Sequence, residues 1–347
     1  MDNETGHLGD SKFGEIDSKT CNKGTIIQEF YRDCNVFITG GTGFMGKLLI
    51  EKLLRSCPAT KKIFIIIRPK RGKSPEERKE KLLNCVIFNS LKATNPIFHE
   101  KLVMVSGDIS LPNLGLSPLD YEMLTQQVNI IFHLAATVKF DEKMNIAVPI
   151  NIIGTIETIN LCRKCVNLKS MVYVSTAYSN CHLKEIKECF YKPPLEEDVI
   201  IKFLPSVDEV IMEVIKPIHG FDARAVSRLK APFSLSCSVL ESGCRRSSSC
   251  VGVHQGGIYR VTAEDGEIEV RISISIIYLI CVSVAGTLKE PLIGWIDNIY
   301  GPIGAVVGIG AGLLRTGIRK ADFKSDIIPG DLVINGIIVA AYDVAVR

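Results

Sequence analysis

The chain has 347 residues, 46% of them apolar, and a formal net charge of +3, so it can bury a large core and carries no extended nucleic-acid-binding charge. Its mean hydropathy of +0.21 is slightly high for a soluble protein. The polar stretch Met1 to Thr25 lacks the apolar core of a secretory signal, and the twelve cysteines are read as free thiols in a reducing compartment.

Residues 1–30 read as a flexible leader, and an α/β unit over 31–217 follows. A first strand is expected over 34–39, then the turn Thr39-Gly40-Gly41-Thr42-Gly43-Phe44-Met45-Gly46, then a helix over 43–56. Strand, glycine turn and helix in that order suit a dinucleotide pyrophosphate. Gly40 permits the sharp turn, Gly43 lets backbone approach the phosphates, and Gly46 lets the helix pack closely on the strand. The first helical turn (Phe44, Met45, Gly46) then offers free N–H groups and the positive end of the helix dipole to the anion, with Thr42 beside it.

A continuous apolar run, Lys61 to Ile67, gives a second strand of the kind covered on both faces. Ser74-Pro75-Glu76-Glu77 signals a capped helix start, with Leu82, Leu83, Val86, Ile87 and Leu91 continuing at helical spacing. Further strands are expected over 101–105, 128–133 and 170–176, with helices near 117–127 and over 143–166 between them. Alternation of strand and helix predicts a Rossmann-type, doubly wound parallel sheet with helices on both faces. Cys162-Arg163-Lys164-Cys165 lies late in its helix, away from the N-terminal position that activates a redox pair, and is assigned to a buried helix face. Six histidines without H-x-x-x-H spacing predict no metal site.

The pattern changes after Lys216-Pro217. Residues 218–284 hold a serine- and cysteine-rich stretch, glycine pairs and a Val/Ile/Ser run compatible with a hairpin and one further strand. The uncharged run Ile272 to Leu288 is short for a bilayer span and interrupted by serines, so a buried strand plus loop is expected. Regular pattern returns over 285–347, which is assigned to the substrate side and ends in an apolar helix. Gly308-Ile309-Gly310-Ala311-Gly312 follows no clear strand, and close packing or a loop is expected there.

Cofactor choice rests on the end of the second strand, where an NAD enzyme carries an acid and this chain has Arg68, with Lys70, Arg71 and Lys73 nearby. A guanidinium there suits the 2′-phosphate of NADPH. Asp108, at the end of the third strand, can accept from the adenine amino group. Ala135, Ala136 and Thr137, at the mouth of the fourth, are small where backbone passes the cofactor. Ser175 and Thr176 end the fifth strand on the ligand side, where a hydroxyl can stabilise a developing oxyanion; Thr176 ranks ahead of Ser175.

Several stretches carry a family resemblance: Thr39 to Gly46, Gly107-Asp108, His133 to Glu142, Asn151-x-x-Gly154-Thr155, Val174 to Asn180, Gly286 to Pro291 and Gly294 to Pro302. They resemble the extended short-chain dehydrogenases/reductases and, within these, the fatty acyl-CoA reductases, particularly the insect type. The resemblance covers about 30–216 and 286–347. It implies reduction of a long-chain acyl-CoA to a primary alcohol through an aldehyde with two NADPH, with Thr176 orienting the carbonyl. It also implies residence at the cytoplasmic face of an intracellular membrane (endoplasmic reticulum or peroxisome), through a C-terminal membrane-associating segment not recognised in this sequence; otherwise the protein is cytoplasmic. The family's proton donor is a Tyr in a Tyr-x-x-x-Lys helix. None of the nine tyrosines here has a lysine four residues on, and 218–284 stands where that helix belongs. An abrupt break between intact motifs is what altered splicing or a gene-model error produces. Without the pair, the chain reads alternatively as a non-catalytic NADP-binding sensor or scaffold.

Overall fold

The computed structural model describes residues 24–69, 72–139, 142–176, 201–202, 276–281, 283–300, 302–317 and 327–346. Strands β1 (Asn35–Thr39), β2 (Lys62–Ile67), β3 (Leu102–Ser106), β4 (Ile130–His133), β5 (Ser170–Thr176) and β6 (Ile276–Cys281) form one sheet in the order β3-β2-β1-β4-β5-β6. All its neighbours are parallel. The order reverses between β1 and β4, and in such sheets ligands bind outside the carboxyl ends of the strands at that switch point.

Continuous apolar runs become strands here because side chains alternate between two buried faces. Val36, Ile38, Ile63, Ile65, Ile67, Ile130, Phe132 and Val172 fill one core. Phe37, Phe64, Ile66, Ile131, Met171 and Tyr173 fill the other. Each fully buried side chain of this size contributes about 1.5–3 kcal/mol relative to exposure.

The first core is roofed by α2 (Phe44–Ser56), which buries Leu48, Leu49, Ile50, Leu53 and Leu54, and by the C-terminal helix, labelled α9 (Gly330–Val346). The second lies under α5 (Pro118–Gln127) and α7 (Gly154–Lys164). The α7 helix continues α6 (Met144–Val148) through a π turn, Pro149–Ile153. By length and composition alone Met144–Lys164 could cross a membrane, but 56% of its apolar window is buried, and Ile159, Leu161 and Cys162 pack into the sheet. It is a core helix.

Several expectations need correction. The leader does not extend to residue 30. Thr25 and Gln28 form a reciprocal capping box that starts α1 (Ile26–Tyr31), and Tyr31 is fully buried with its hydroxyl donating to the Ile338 carbonyl (2.9 Å). The helix begun at Ser74 does not run on to Leu91. It ends as α3 (Pro75–Leu83), because Cys85 is extended (φ −69°, ψ 138°) and turns the chain so that Ile87, Phe88 and Leu91 reach the core from a 3₁₀ turn and α4 (Asn89–Thr94). The strand expected in the run from Ile272 is found as β6, which pairs with β5 over six positions from Met171↔Ile276 to Thr176↔Cys281, so the sheet takes in the end of the 218–284 stretch. A short strand, β7 (Ser283–Ala285), pairs with β8 (Ile327–Pro329). The glycines at 308 and 310 lie in a helix, α8 (Pro302–Gly310), where a Cβ on Gly308 would meet the Leu314 side chain at 2.9 Å, and Gly312 lies in the turn that follows. Residues 330–346, assigned from sequence to the substrate side, form part of the nucleotide-side core instead.

Candidate functional site

The glycine turn sits at the carboxyl end of β1, with the first turn of α2 pointing out of it. Gly40 has φ +78°, which side-chain-bearing residues rarely adopt, and a Cβ there would stand 2.8 Å from the Ala135 nitrogen. A Cβ on Gly46 would lie 2.3 Å from the Gly40 carbonyl oxygen. These close approaches bring β1, the β4 loop and α2 together as one unit. Thr25, Ser74 and Ser117 cap α1, α3 and α5 through their side chains, whereas among the described residues no side chain caps α2 at Gly43. The amides opening α2 are left for a ligand, and a pyrophosphate is the anion that such a turn fits. The side chains of Phe44 and Met45 face inward: Phe44 stacks on Trp295 (centroids 5.4 Å, 25°), and both border the first core. Their offering to a ligand is backbone.

Arg68 ends β2 as expected, but with company. Its Nη1 pairs with the Asp108 Oδ2 at 3.1 Å. Asp108 also accepts from the Ser110 N–H (3.0 Å) and hydroxyl (2.8 Å). Burial pushes this carboxyl up, but the two Ser110 bonds and the Arg68 guanidinium outweigh it and hold the pKa below its ordinary value. Asp108 is thus committed to organising the Arg68 loop, and the adenine role read from sequence competes with that pairing.

Arg78 is a basic residue the sequence reading missed. Its Nη2 donates to Thr42 Oγ1 at 3.0 Å and its Nη1 to the Arg68 carbonyl, joining the glycine turn to the end of β2. Burial and the neighbouring Arg68 lower its pKa from the usual arginine value. The signal was present: the Ser74–Glu77 capping box fixes Arg78 in the first turn of α3. Lys70 and Arg71 lie outside the described residues.

At the β4 end, Ala135, Ala136 and Thr137 pass beside the glycine turn. Asn151, in the π turn, holds Thr137 from both sides: its Oδ1 accepts from the Thr137 N–H (2.9 Å) and its Nδ2 donates to the Thr137 carbonyl (3.3 Å). On β5, Ser175 is buried and its hydroxyl has no hydrogen-bond partner among the described residues. A buried orphan hydroxyl at the ligand end of a strand is unusual and fits a site for a bound polar group. Thr176 is half-buried beside it. The residues from Ala177 to Ile200, including Tyr178, and those from 203 to 275 lie outside the described structure.

The segment 286–300 is clamped over α2. Lys47 Nζ meets Asp297 at 2.6 Å, and Glu290 bridges Lys52 and Arg55 (Arg55 Nη1 at 2.8 Å). Asp331, at the start of α9, accepts the N–H groups of Leu288 (2.9 Å), Lys289 (2.8 Å) and Glu290 (3.2 Å). The thiols of Cys162 and Cys165 are pushed up by burial, Cys165 to about 12, which suits packing and not redox exchange. No cluster of metal-ligating side chains occurs among the described residues.

A 3-2-1-4-5-6 parallel sheet with an uncapped glycine turn at its switch point defines a Rossmann-type, nicotinamide-dinucleotide-binding α/β protein. The family model described as "Male sterility protein", an NAD-binding model, matches residues 38–219, ending beside the change of pattern after Lys216-Pro217. The chain belongs to that family. It is 36% identical over 323 residues to "Fatty acyl-CoA reductase wat" of Drosophila melanogaster, and 35% over 317 residues to "Fatty acyl-CoA reductase 1" of Homo sapiens. These matches cover 92% and 91% of this chain, and the chain spans 56% of the length of either relative. In fold it resembles the terminal R domain of the myxalamid PKS-NRPS pathway (TM-score 0.54, 22% identity, 88% of this chain and 62% of that one).

Proposed function

We propose that this chain binds NADPH at the glycine turn and reduces a long-chain fatty acyl-CoA, through the aldehyde, to the primary alcohol. The observation that carries the cofactor reading is the α2 N-terminus, left without a side-chain cap and closed in by glycines that admit no Cβ. Bound there, NADPH would supply hydride, two equivalents of which take a thioester to an alcohol and release coenzyme A.

The chain's own residues divide the remaining work. The amides of the first turn of α2 hold the pyrophosphate. Arg78 presents a guanidinium beside Thr42 and Arg68 a second one after β2, paired with Asp108, and their charge and planar donors suit the 2′-phosphate that separates NADPH from NADH. Thr176 and Ser175 donate to the substrate carbonyl, orienting it and stabilising the developing oxyanion. The acyl-CoA assignment rests on the likeness to the named reductases.

One observation favours a second reading, an NADP-binding protein without turnover: no tyrosine in the sequence has a lysine four residues on. Loss of general acid–base catalysis costs on the order of 10²–10⁴ in rate. NADPH binding followed by fluorescence, alongside NADPH oxidation with palmitoyl-CoA and product analysis, separates the two. Binding with alcohol formation supports the reductase; binding without consumption supports the non-catalytic reading. Absence of binding refutes both.

A further inference from the structure

His133, at the end of β4, is fully buried and stacked on Tyr173 (centroids 5.4 Å, 21°). Its Nδ1 lies 2.7 Å from Thr39 Oγ1, and its Nε2 lies 3.0 Å from Thr155 Oγ1. A hydroxyl has one proton, so the directions can be assigned. Thr155 gives its proton to the Asn151 carbonyl (2.8 Å), which leaves its oxygen to accept from Nε2–H. The neutral ring must then accept at Nδ1. Thr158, 3.4 Å from Nδ1, spends its proton on the Gly154 carbonyl (2.7 Å), so the donor to Nδ1 is Thr39. Thr39 Oγ1 in turn accepts from the Ala135 N–H (3.3 Å).

The bonds make a closed circuit. They run from Ala135 N–H to Thr39, to His133, to Thr155 and to the Asn151 backbone, and the Asn151 side chain returns to Thr137. Both ends of the circuit are the short loop that abuts Gly40. Thr39, His133, Asn151 and Thr155 are all buried, so an unmade bond in the circuit is not replaced by bulk water.

We propose that His133, as the neutral Nε2–H tautomer, is a positioning residue that sets the 135–137 backbone against the glycine turn for cofactor binding. This rests on the reading that the loop faces the cofactor. A doubly protonated ring would have two donors and leave the Thr39 proton without its acceptor, so the circuit selects the neutral form. Among the described residues, the titratable side chain stacked on the ring is Tyr173, and threonine hydroxyls of β1 and α7 lie within hydrogen-bond reach of its nitrogens.

Three sets of measurements test this. In ¹⁵N-labelled wild-type protein, the His133 imidazole should show a slowly exchanging Nε2–H and an unprotonated Nδ1; an Nδ1–H or doubly protonated ring overturns the proposal whether or not cofactor binds. Thr39→Val and Thr155→Val, which cut the circuit with little change in shape, should each weaken NADPH binding about tenfold. The Thr39→Val/Thr155→Val double variant should be no weaker than the weaker single, because both cuts open one circuit. His133→Gln, which keeps one donor and one acceptor, should retain more affinity than His133→Leu. Folding of each variant is checked by its thermal midpoint. Affinities within about twofold of wild type, or fully additive losses, would overturn the role even where stability falls.

Discussion

Gly46→Ala sets helix propensity against close packing at the cofactor turn. The new methyl carbon would lie 2.3 Å from the Gly40 carbonyl oxygen, 2.6 Å from Gly41 Cα and 2.9 Å from the Gly40 carbonyl carbon. All three are backbone atoms, with no flexible side chain to swing aside. Alanine is favoured over glycine inside a helix by about 0.8–1.0 kcal/mol, whereas overpacking costs about 1–3 kcal/mol or more. The steric cost should win by about 1–2 kcal/mol, lowering the thermal midpoint by about 1–3 °C for a chain of this size. NADPH affinity should fall with it, since the turn that presents the α2 amides is displaced. Gly43 is the control: a Cβ there has one neighbour within 4 Å, the Gly40 oxygen at 3.2 Å. Gly43→Val should leave folding nearly intact while blocking the anion's approach and abolishing binding. Thermal melts and NADPH fluorescence titrations read both variants. A Gly46→Ala protein as stable as wild type refutes the packing argument, and undiminished NADPH affinity in Gly43→Val refutes the site.

Arg68→Asp should move the Kd ratio toward NADH and place two carboxylates together at Asp108; an unchanged ratio would mean the guanidinium does not meet the 2′-phosphate. The Asp331 carboxyl is raised by burial but lowered further by three backbone N–H bonds, so its folded pKa lies below the unfolded one. Its contribution is therefore present above about pH 4 and lost as pH falls through the folded value. Asp331→Asn should flatten that acid limb in urea-unfolding measurements and cost about 1–3 kcal/mol at neutral pH; an unchanged acid limb would contradict the assignment. Cys162 and Cys165 should resist thiol reagents at pH 8 in the folded protein, as read by mass spectrometry of labelled peptides, and rapid labelling would show that the pair is not packed as described.

What the sequence made legible was the sheet and its ligand end. The runs at Val36–Ile38, Ile63–Ile67 and Ile130–Phe132 are apolar on both strand faces, and only a covered parallel sheet accepts that pattern. What escaped notice depended on distance along the chain. Arg78 carries no motif, and its meeting with Thr42 becomes visible only when α3 is placed beside the turn. The His133 circuit draws on β1, β4, the π turn and α7, and each residue alone reads as an ordinary polar exception in an apolar run. The break at Leu83 was hidden because the apolar spacing continues across it while Cys85 redirects the chain.

The hydrogen bond from Tyr31 to the Ile338 carbonyl joins residues 307 positions apart, and Phe30 meets Tyr342 edge-on (5.5 Å, 79°). The helix α9 therefore closes the same core that α1 and α2 begin. Contacts of such span must meet a large loop-closure entropy before they are rewarded, which slows folding. During synthesis, the core that α2 shares with α9 stays incomplete until residues 333–344 leave the ribosome. The nucleotide turn is written early in the chain, about 290 residues before the helix that covers its core, and cofactor binding should begin only when synthesis has passed α9.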